Sequence, residues 1–348
     1  MTAEIGPWAA SDAEPLLEIY RRIFGDQKAA ARRSSWAWQY EENPQSPQQP
    51  VVWVARRNGR AVGQVGSIPV SMWWGDREIR ASWGIDYFVA PEAEGLGDSI
   101  GLMKAWMQSV DLALVLGLAP TSYLICKRLG FRDLGYVPLF QAVLDPAAIV
   151  RHRWGKVAGA VAAPFSSASK WVVGHRRGRV PREPVVTPAV EIGDEYDAFW
   201  QRARAGFAMC VRRDAAYVRW RYRRAPGKQY DILEARRSGE LVGFVVCRHE
   251  EYRDIRLGWV VDLFAARSDR VTRDALIANA MSALSRAGVA RAQAFCRCQE
   301  LAADLRRHGF FNAVSHAHLV ARPNGVSDAP TLGAGDWHVV HGDSDSDR

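Results

Sequence analysis

The segment from Val89 to Gly101 carries the residue types that can hold a phosphate group. It reads VAPEAEGLGDSIG, and its glycines at positions 95 and 97 stand directly before an apolar pattern of helical period. Glycine has no β-carbon, so the backbone there can approach a ligand closely. The free N–H groups at the start of the next helix would face a phosphate, and the helix dipole favours negative charge at that end. Spacing alone leaves an ordinary strand-to-helix turn open.

The elements around this segment must hold it in place. Residues 79–90, rich in aromatic and branched side chains, predict a strand before it, and apolar residues at 100, 103, 106, 107 and 110 mark one face of a helix after it. The polar, glycine-bearing stretch 56–60 between two apolar runs predicts a hairpin. The order of helix, antiparallel strands, glycine turn, helix, strand, helix and strand predicts a mixed α/β sheet with helices on both faces.

An internal repeat divides the chain into two similar halves. Trp38-Gln-Tyr40 recurs about 180 residues later as Trp220-Arg-Tyr222. Three further matches follow in the same order, and they are 55–63 with 235–243, 84–90 with 260–266, and 129–131 with 308–310. The length of 348 residues also suits two domains of roughly 150 residues each. We therefore expect a first domain over 1–145, a basic and partly helical linker over 146–189, a second domain over 190–322 and a polar acidic tail over 323–348.

The order of these features resembles the GNAT (Gcn5-related N-acetyltransferase) superfamily. Val89 and Pro91 stand before the glycine turn, and Leu129-Gly-Phe131 follows later, so the similarity covers residues 3–145 and 190–322. It implies two tandem GNAT-like domains of α/β class, each a mostly antiparallel twisted sheet flanked by helices. It also implies an acyltransferase whose turn holds the pyrophosphate of acetyl-CoA or another acyl-CoA. Glu94 replaces an arginine of many members, and Ser99 a frequent glycine.

Carried onto this chain, the resemblance implies cofactor contacts from the end of the strand and from the turn. These residues are Phe88, Val89, Glu94, Gly95, Leu96, Gly97, Asp98 and Ser99. A backbone N–H near Phe88 and Val89 would polarise the acyl carbonyl. The second half has no glycine between Asp262 and Asp274, so no cofactor is expected there.

Asp86 is the candidate general base, because it lies on the strand just before the expected carbonyl site. In a regular strand it would share a face with Gly84 and Phe88, and burial beside aromatic rings would raise its pKa. A purely structural carboxylate is the alternative, since Asp262 holds the equivalent place in the second half.

Two residues are candidates for the acid that protonates the departing thiolate. Cys126 occupies the position of the family's usual tyrosine, and Tyr123 lies one helical turn earlier. A buried inert thiol is the other interpretation of Cys126, and the thiolate can also leave without an acid.

Composition and charge narrow the class of protein. Hydrophobic residues make up 48% and charged residues 24%, as in a globular protein. No apolar run approaches the ~20 residues of a membrane span, and the first residues do not resemble a signal peptide, so we expect a cytoplasmic protein. The cysteines are scattered and expected to be reduced, with no metal site. The linker excess of arginine and lysine predicts either a helix packed on the protein or peripheral contact with an anionic membrane.

The sequence thus favours an acyl-CoA-dependent N-acyltransferase acting in its N-terminal domain as a monomer or homodimer. Direct attack of a small amine or amino sugar on the thioester is the expected mechanism, and no nucleic acid partner is expected. Two alternatives stay open. A Fem-like aminoacyl-tRNA-dependent transferase would also have tandem GNAT-like domains and use the net charge of +8. A non-catalytic GNAT-like scaffold or binding protein would explain Glu94 and Cys126.

Overall fold

The computed structural model describes residues 3–46, 51–93, 97–155, 158, 160–161, 183–326 and 337–345. Residues 94–96 of the predicted turn and 162–182 of the basic linker lie outside this range. The chain forms two compact units. The first comprises Met1–Tyr136, Arg219–Lys228 and His316–Gly333, and the second comprises Val137–Val218, Gln229–Ser315 and Ala334–Arg348. Each unit thus includes segments from the other half of the sequence, unlike the continuous domains 1–145 and 190–322 that the repeat predicted.

The first 136 residues follow the predicted order of elements. Their strands are β1 (Glu4–Pro7), β2 (Val52–Arg57), β3 (Arg60–Trp74), β4 (Arg77–Val89), β5 (Leu112–Leu116) and β6 (Arg132–Tyr136). Their helices are α1 (Ala13–Phe24), α2 (Asp26–Tyr40), α3 (Asp98–Gln108) and α4 (Pro120–Arg128). The predicted hairpin joins β2 to β3, and Asn58 and Gly59 both have positive φ there, as a two-residue hairpin turn requires.

The rest of the chain repeats this order. Its strands are β7 (Leu139–Val143), β8 (Val185–Pro188), β9 (Met209–Val211), β10 (Asp231–Arg237), β11 (Glu240–Tyr252), β12 (Ile255–Ala265), β13 (Arg291–Phe295), β14 (Phe311–Ala313), β15 (His318–Pro323) and β16 (Trp337–His338). Its helices are α5 (Pro146–Trp154), α6 (Glu195–Ala203), α7 (Ala215–Val218), α8 (Arg270–Arg286) and α9 (Gln299–Arg307). Ser238 and Gly239 have positive φ in the hairpin between β10 and β11, as their counterparts do in the first half.

Two mixed sheets confirm the predicted fold class. The strand order of the first is β1-β2-β3-β4-β5-β15-β6, and that of the second is β14-β7-β13-β12-β11-β10-β8. Within these orders the pairs β4–β5 and β12–β13 are parallel, and the other neighbouring pairs are antiparallel. Along these seven-strand orders the two sheets are therefore equivalent strand for strand.

One strand is exchanged between the repeats. β7 follows β6 in sequence but lies between β13 and β14 of the second sheet. Correspondingly, β15 lies between β5 and β6 of the first sheet. The repeat pattern marks the strands but does not specify which sheet each joins, because the pairing depends on partners far away in sequence.

The first unit contains a reciprocal contact between the two repeats of the sequence. The indoles of Trp38 and Trp220 stack with ring centroids 5.1 Å apart. Each indole N–H donates to the other residue's carbonyl oxygen, at 2.8 Å and 2.7 Å. Both side chains are buried. The two tryptophans that revealed the repeat are thus packing residues.

The last described residues of the predicted polar acidic tail are mostly buried. β16 pairs in parallel with β9 in the second unit, and Asp343 and Ser344 are 1% exposed. Asp343 is buried because Arg213 Nη2 donates to its carboxylate at 2.7 Å. A buried arginine that donates to this carboxylate explains why an aspartate-rich segment packs inside the fold.

Candidate functional site

The parallel strands β4 and β5 separate in the middle of the first sheet. They pair only where Ala81, Ser82 and Trp83 face residues 112–114. β4 continues to Val89 and β5 to Leu116. Among the described residues no strand pairs with this edge of β4 beyond Trp83. The edge therefore presents backbone N–H and C=O groups that a ligand can satisfy.

Helix α3 begins beside the end of β4 and has the features of an anion site. Gly97 is the N-cap residue of α3, with φ of 84°, and a β-carbon there would meet nothing within 4 Å. The first N–H groups of a helix have no acceptor inside the helix and carry the positive end of its dipole. Glu94, Gly95 and Leu96, the other half of the predicted turn, lie outside the described residues.

Asp98 contributes to this site differently from the sequence expectation. Its carboxylate is buried and accepts two hydrogen bonds from Arg57, at 2.9 Å and 3.0 Å. The pairing neutralises an acidic side chain that would otherwise repel an anion at the helix start, and it fixes α3 against the end of β2. Only the backbone N–H of Asp98 is left for a ligand.

Tyr87, which the sequence analysis did not single out, lies where β4, α3 and α4 meet. Its hydroxyl oxygen is buried, and the Ser99 side chain is near enough to hydrogen-bond with it. Burial raises the pKa of Tyr87 to about 12, while the nearby Ser99 side chain lowers it and Cys126 raises it further. Tyr87 therefore brings Ser99 and Cys126, two predicted site residues, to one place.

Asp86 lies at a β-bulge, so the predicted regular alternation with Gly84 and Phe88 is wrong. The pairing between β3 and β4 shifts register here, and Asp86 has φ of 46°, which costs about 1–3 kcal/mol for a residue other than glycine. The bulge turns its carboxylate toward α2. Tyr40 donates to Oδ2 at 2.7 Å and Gln39 at 3.4 Å.

Arg32 is the second residue that sequence reasoning missed. Its Nε lies 3.9 Å from Asp86 Oδ2, and its Nη2 donates to Gln64 at 2.9 Å. The side chain is 6% exposed, yet Nε and Nη1 have no hydrogen-bond partner among the described residues. Aromatic rings surround the guanidinium, and the distances to the ring centres are 4.7 Å for Tyr20, 5.1 Å for Trp36 and 5.5 Å for Phe88.

A cleft beside α1 and α2 leads to this arginine. Its volume is ≈ 280 Å³, and it is lined by Trp8, Ala13, Glu14, Leu16, Leu17, Arg32, Arg33, Trp36 and Glu41. A second depression of ≈ 210 Å³ shares Trp8, Trp36 and Glu41 with it and reaches Tyr40. Arg32 thus lines the first cleft and Tyr40 the second, and each side chain also pairs with the carboxylate of Asp86.

The two candidate acids occupy different surroundings. Cys126 is buried in α4, and burial raises the pKa of its thiol to about 12. Tyr123 donates to Asp133 at 2.7 Å and stacks on His318 with ring centres 4.8 Å apart. The Asp133 hydrogen bond raises the pKa of Tyr123. The structure therefore places Cys126 near Tyr87 but engages the Tyr123 hydroxyl with another residue.

The equivalent places in the second unit are filled. Asp262 is fully buried and accepts from Arg213 at 3.0 Å. The start of α8, which corresponds to the start of α3, is capped by Asp269, whose carboxylate accepts from the Thr272 N–H at 3.0 Å and hydroxyl at 2.8 Å. A carboxylate at this helix end occupies the position that an anionic ligand would need.

The described residues contain no group of three or more His, Cys, Asp or Glu side chains placed to hold a metal ion. No helix in the described ranges combines the length and the apolar character that crossing a membrane requires.

Residues 4–133 match the family model of the acetyltransferase (GNAT) domain. A GCN5-related N-acetyltransferase from Anabaena variabilis aligns with a TM-score of 0.60 at 12% identity, over 92% of this chain and 72% of its own. A probable N-acyltransferase from Enterococcus faecalis aligns with a TM-score of 0.62 at 12% identity, over 93% of this chain and 73% of its own. N-myristoyltransferase from Saccharomyces cerevisiae, solved with bound myristoyl-CoA, aligns with a TM-score of 0.54 at 9% identity, over 92% of this chain and 82% of its own. No curated protein matches the sequence significantly.

These matches and the two equivalent sheets define the class. The protein has a tandem GNAT-like fold, with a GNAT acetyltransferase domain in residues 4–133. Residues 4–133 are therefore similar to the GNAT acetyltransferase domain, and the chain as a whole has the tandem fold that its sequence motifs indicated.

Proposed function

We propose that the first unit transfers an acyl group from acyl-CoA to a small amine. The observation that carries this proposal is the uncapped start of α3 at Gly97 beside the unpaired edge of β4. A helix start binds phosphate through its N–H groups and dipole, and an unpaired strand edge can hydrogen-bond the amide groups of an extended ligand. Acyl-CoA contains both kinds of group, so the residues present fit it.

The residues have distinct roles in this proposal. Backbone N–H groups at residues 97–99 hold the pyrophosphate, and an N–H of Phe88 or Val89 polarises the acyl carbonyl, which would stabilise developing negative charge. Acyl-CoA supplies the reactive thioester. The amine nitrogen forms a bond to the acyl carbon as the carbon–sulfur bond breaks, and the ammonium must lose its proton first.

We assign the removal of that proton to Asp86. The carboxylate side chain is 9% exposed, and Tyr40, which donates to it, also lines the neighbouring depression. A proton can therefore pass from an amine in the cleft to Asp86 through the Tyr40 hydroxyl. Fully buried Asp262 has no such route in the second unit.

Thiolate departure needs no protein acid in this proposal. Proton transfer from a thiol of pKa about 12, as at Cys126, to a thiolate whose conjugate acid has a pKa of about 8.5 costs roughly 5 kcal/mol. Tyr87, with a pKa of about 12, is equally unfavourable. The thiolate leaves unprotonated and takes its proton from solvent.

Titration calorimetry of the full chain with acetyl-CoA and longer acyl-CoAs tests the proposal. Saturable binding by the wild type that Gly97→Trp abolishes supports it. Gly239→Trp is the matched control, because Gly239 also has positive φ and open space around it but lies in the second unit. Binding retained by Gly97→Trp, or absent for every acyl-CoA, would overturn the proposal and favour the non-catalytic alternative.

A further inference from the structure

The two units contain the same arginine–carboxylate arrangement. Arg32 pairs with Asp86 and lies over Phe88 at 5.5 Å. About 180 residues later, Arg213 pairs with Asp262 and lies over the ring of Phe264 at 5.2 Å. Asp86 and Asp262 are equivalent in the sequence repeat, and so are Phe88 and Phe264. The two arginines are therefore equivalent in position, although Arg32 is helical and Arg213 precedes α7.

The difference between the arginines lies in their second partner. Arg213 holds two carboxylates at once, Asp262 at 3.0 Å and Asp343 at 2.7 Å, with all three side chains fully buried. Arg32 holds the equivalent carboxylate at 3.9 Å. Its Nε and Nη1 have no hydrogen-bond partner among the described residues. A buried donor without an acceptor destabilises the fold, and a charged donor does so more than a neutral one. At Arg213, a second carboxylate supplies the acceptor that the equivalent arginine, Arg32, lacks among the described residues.

Arg32 lines a cleft that a ligand can enter, whereas Asp343 of the same chain covers Arg213. Arg32 lines the ≈ 280 Å³ space together with the indoles of Trp8 and Trp36. Glu14 and Glu41 also line this cleft and favour a positive amine there. The cleft therefore combines a cationic donor for a carboxylate, aromatic walls for an apolar group and acidic side chains for an ammonium.

We propose that Arg32 binds the carboxylate of the acceptor, and that the acceptor is an α-amino acid with an aromatic or bulky apolar side chain. A carboxylate that accepts from Nη1 binds the same guanidinium whose Nε lies 3.9 Å from Asp86 Oδ2. The amine on its α-carbon then belongs to the same cluster as the assigned proton acceptor. The side chain then packs against the wall formed by Trp8 and Trp36, whose ring centres are 5.2 Å apart. Acylation of this ligand rests on the proposed function, whereas its recognition by Arg32 does not.

Calorimetry with three related probes and no acyl-CoA tests the carboxylate site. They are L-phenylalanine, its amide and phenethylamine. All three contain the ring and the amine, but only L-phenylalanine has the carboxylate. We expect the amino acid to bind at least tenfold more tightly than the other two. L-alanine, which keeps the carboxylate and lacks the ring, should bind more weakly than L-phenylalanine. Equal affinity for the acid and its amide, or no binding of L-phenylalanine, would overturn the proposal.

Variants identify the group that recognises the carboxylate. Arg32→Gln should make the affinities of the three probes equal. Arg33→Gln is the matched control, since Arg33 lines the same cleft and pairs with Glu14 at its exposed surface, and it should keep the tenfold preference. Loss of the preference in Arg33→Gln but not Arg32→Gln contradicts the assignment. If Arg32→Gln does not fold, the wild-type series and Arg32→Lys, expected to weaken the preference, still decide.

The acyl-CoA titration separates this inference from the proposed function. Acyl-CoA binding without any preference for the amino acid refutes the carboxylate site alone. A preserved preference without acyl-CoA binding refutes the acyltransferase proposal and supports the carboxylate site. Arg32→Gln should leave acyl-CoA affinity within twofold, because Arg32 lies on α2 and not at the α3 helix start.

Discussion

Substitution of Gly66 by alanine should break the hydrogen bond that positions Asp86. A β-carbon at Gly66 would lie 2.3 Å from the Tyr40 hydroxyl oxygen, whereas ordinary contact begins at 3.4 Å. The hydroxyl must retreat by about 1.1 Å, the difference between these distances. Such a retreat along the 2.7 Å bond to Asp86 carries it past hydrogen-bonding distance. Only a residue without a β-carbon lets Tyr40 reach the carboxylate.

The expected loss of stability follows from two contributions. A hydrogen bond to a charged group contributes about 1.5–3 kcal/mol, and overpacking in a filled core costs about 1–3 kcal/mol. We therefore expect Gly66→Ala to destabilise the first unit by about 2.5–6 kcal/mol. Tyr40→Phe, which removes the bond without a clash, should cost about 1.5–3 kcal/mol. For a unit of this size 1 kcal/mol shifts the thermal midpoint by roughly 2–4 °C.

A double-mutant cycle measured by calorimetric unfolding tests the reasoning. In the Tyr40→Phe background the atom at 2.3 Å is absent and the nearest remaining ring atom is at 3.0 Å, so Gly66→Ala should cost at least ~1.5 kcal/mol less there. Gly193→Ala is the control, because a β-carbon at Gly193 meets nothing within 4 Å, and it should change stability by under ~0.5 kcal/mol. Additive effects of the two substitutions, or a Gly66→Ala cost equal to that of Gly193→Ala, would refute the argument. If Asp86 is the base, Gly66→Ala and Tyr40→Phe should also lower kcat/KM.

Two further predictions concern titratable groups. All five cysteines are buried, and burial raises the pKa of Cys126 to about 12. A disulfide reagent at pH 8 should therefore label the native protein far more slowly than the unfolded chain, and rapid labelling of Cys126 would contradict this. Cys126→Ala should keep kcat within about twofold. The Tyr123 hydroxyl and other donors lower the pKa of Asp133 to about 2, below its ordinary 3.8, so its stabilising effect is present above pH ~4 and lost as the pH falls toward 2. The difference in thermal midpoint between the wild type and Asp133→Asn should therefore shrink between pH 5 and pH 2, and a constant difference would show that the pKa is not lowered.

The sequence determined the features that depend on near neighbours. Positive φ is accessible at low cost to Asn-Gly and Ser-Gly pairs, so both hairpin turns were predictable from 56–60 and its repeat. Helical periodicity marked α3, and the similar motifs of the two halves indicated two copies of one fold. The motif before α3 predicted the helix start at Gly97 for the same reason.

Only the tertiary structure decided which distant residues meet. The exchange of β7 and β15 depends on pairing between strands more than a hundred residues apart, which local pattern does not encode. The bulge at Asp86 turned a carboxylate predicted to lie beside Phe88 toward α2 instead. Arg32 stands at the repeat offset from Arg213, yet its importance is visible only when the fold shows one arginine covered by Asp343 and the other facing a cleft. Burial and unpaired donors are properties of the packed chain, because they depend on what every other segment leaves uncovered.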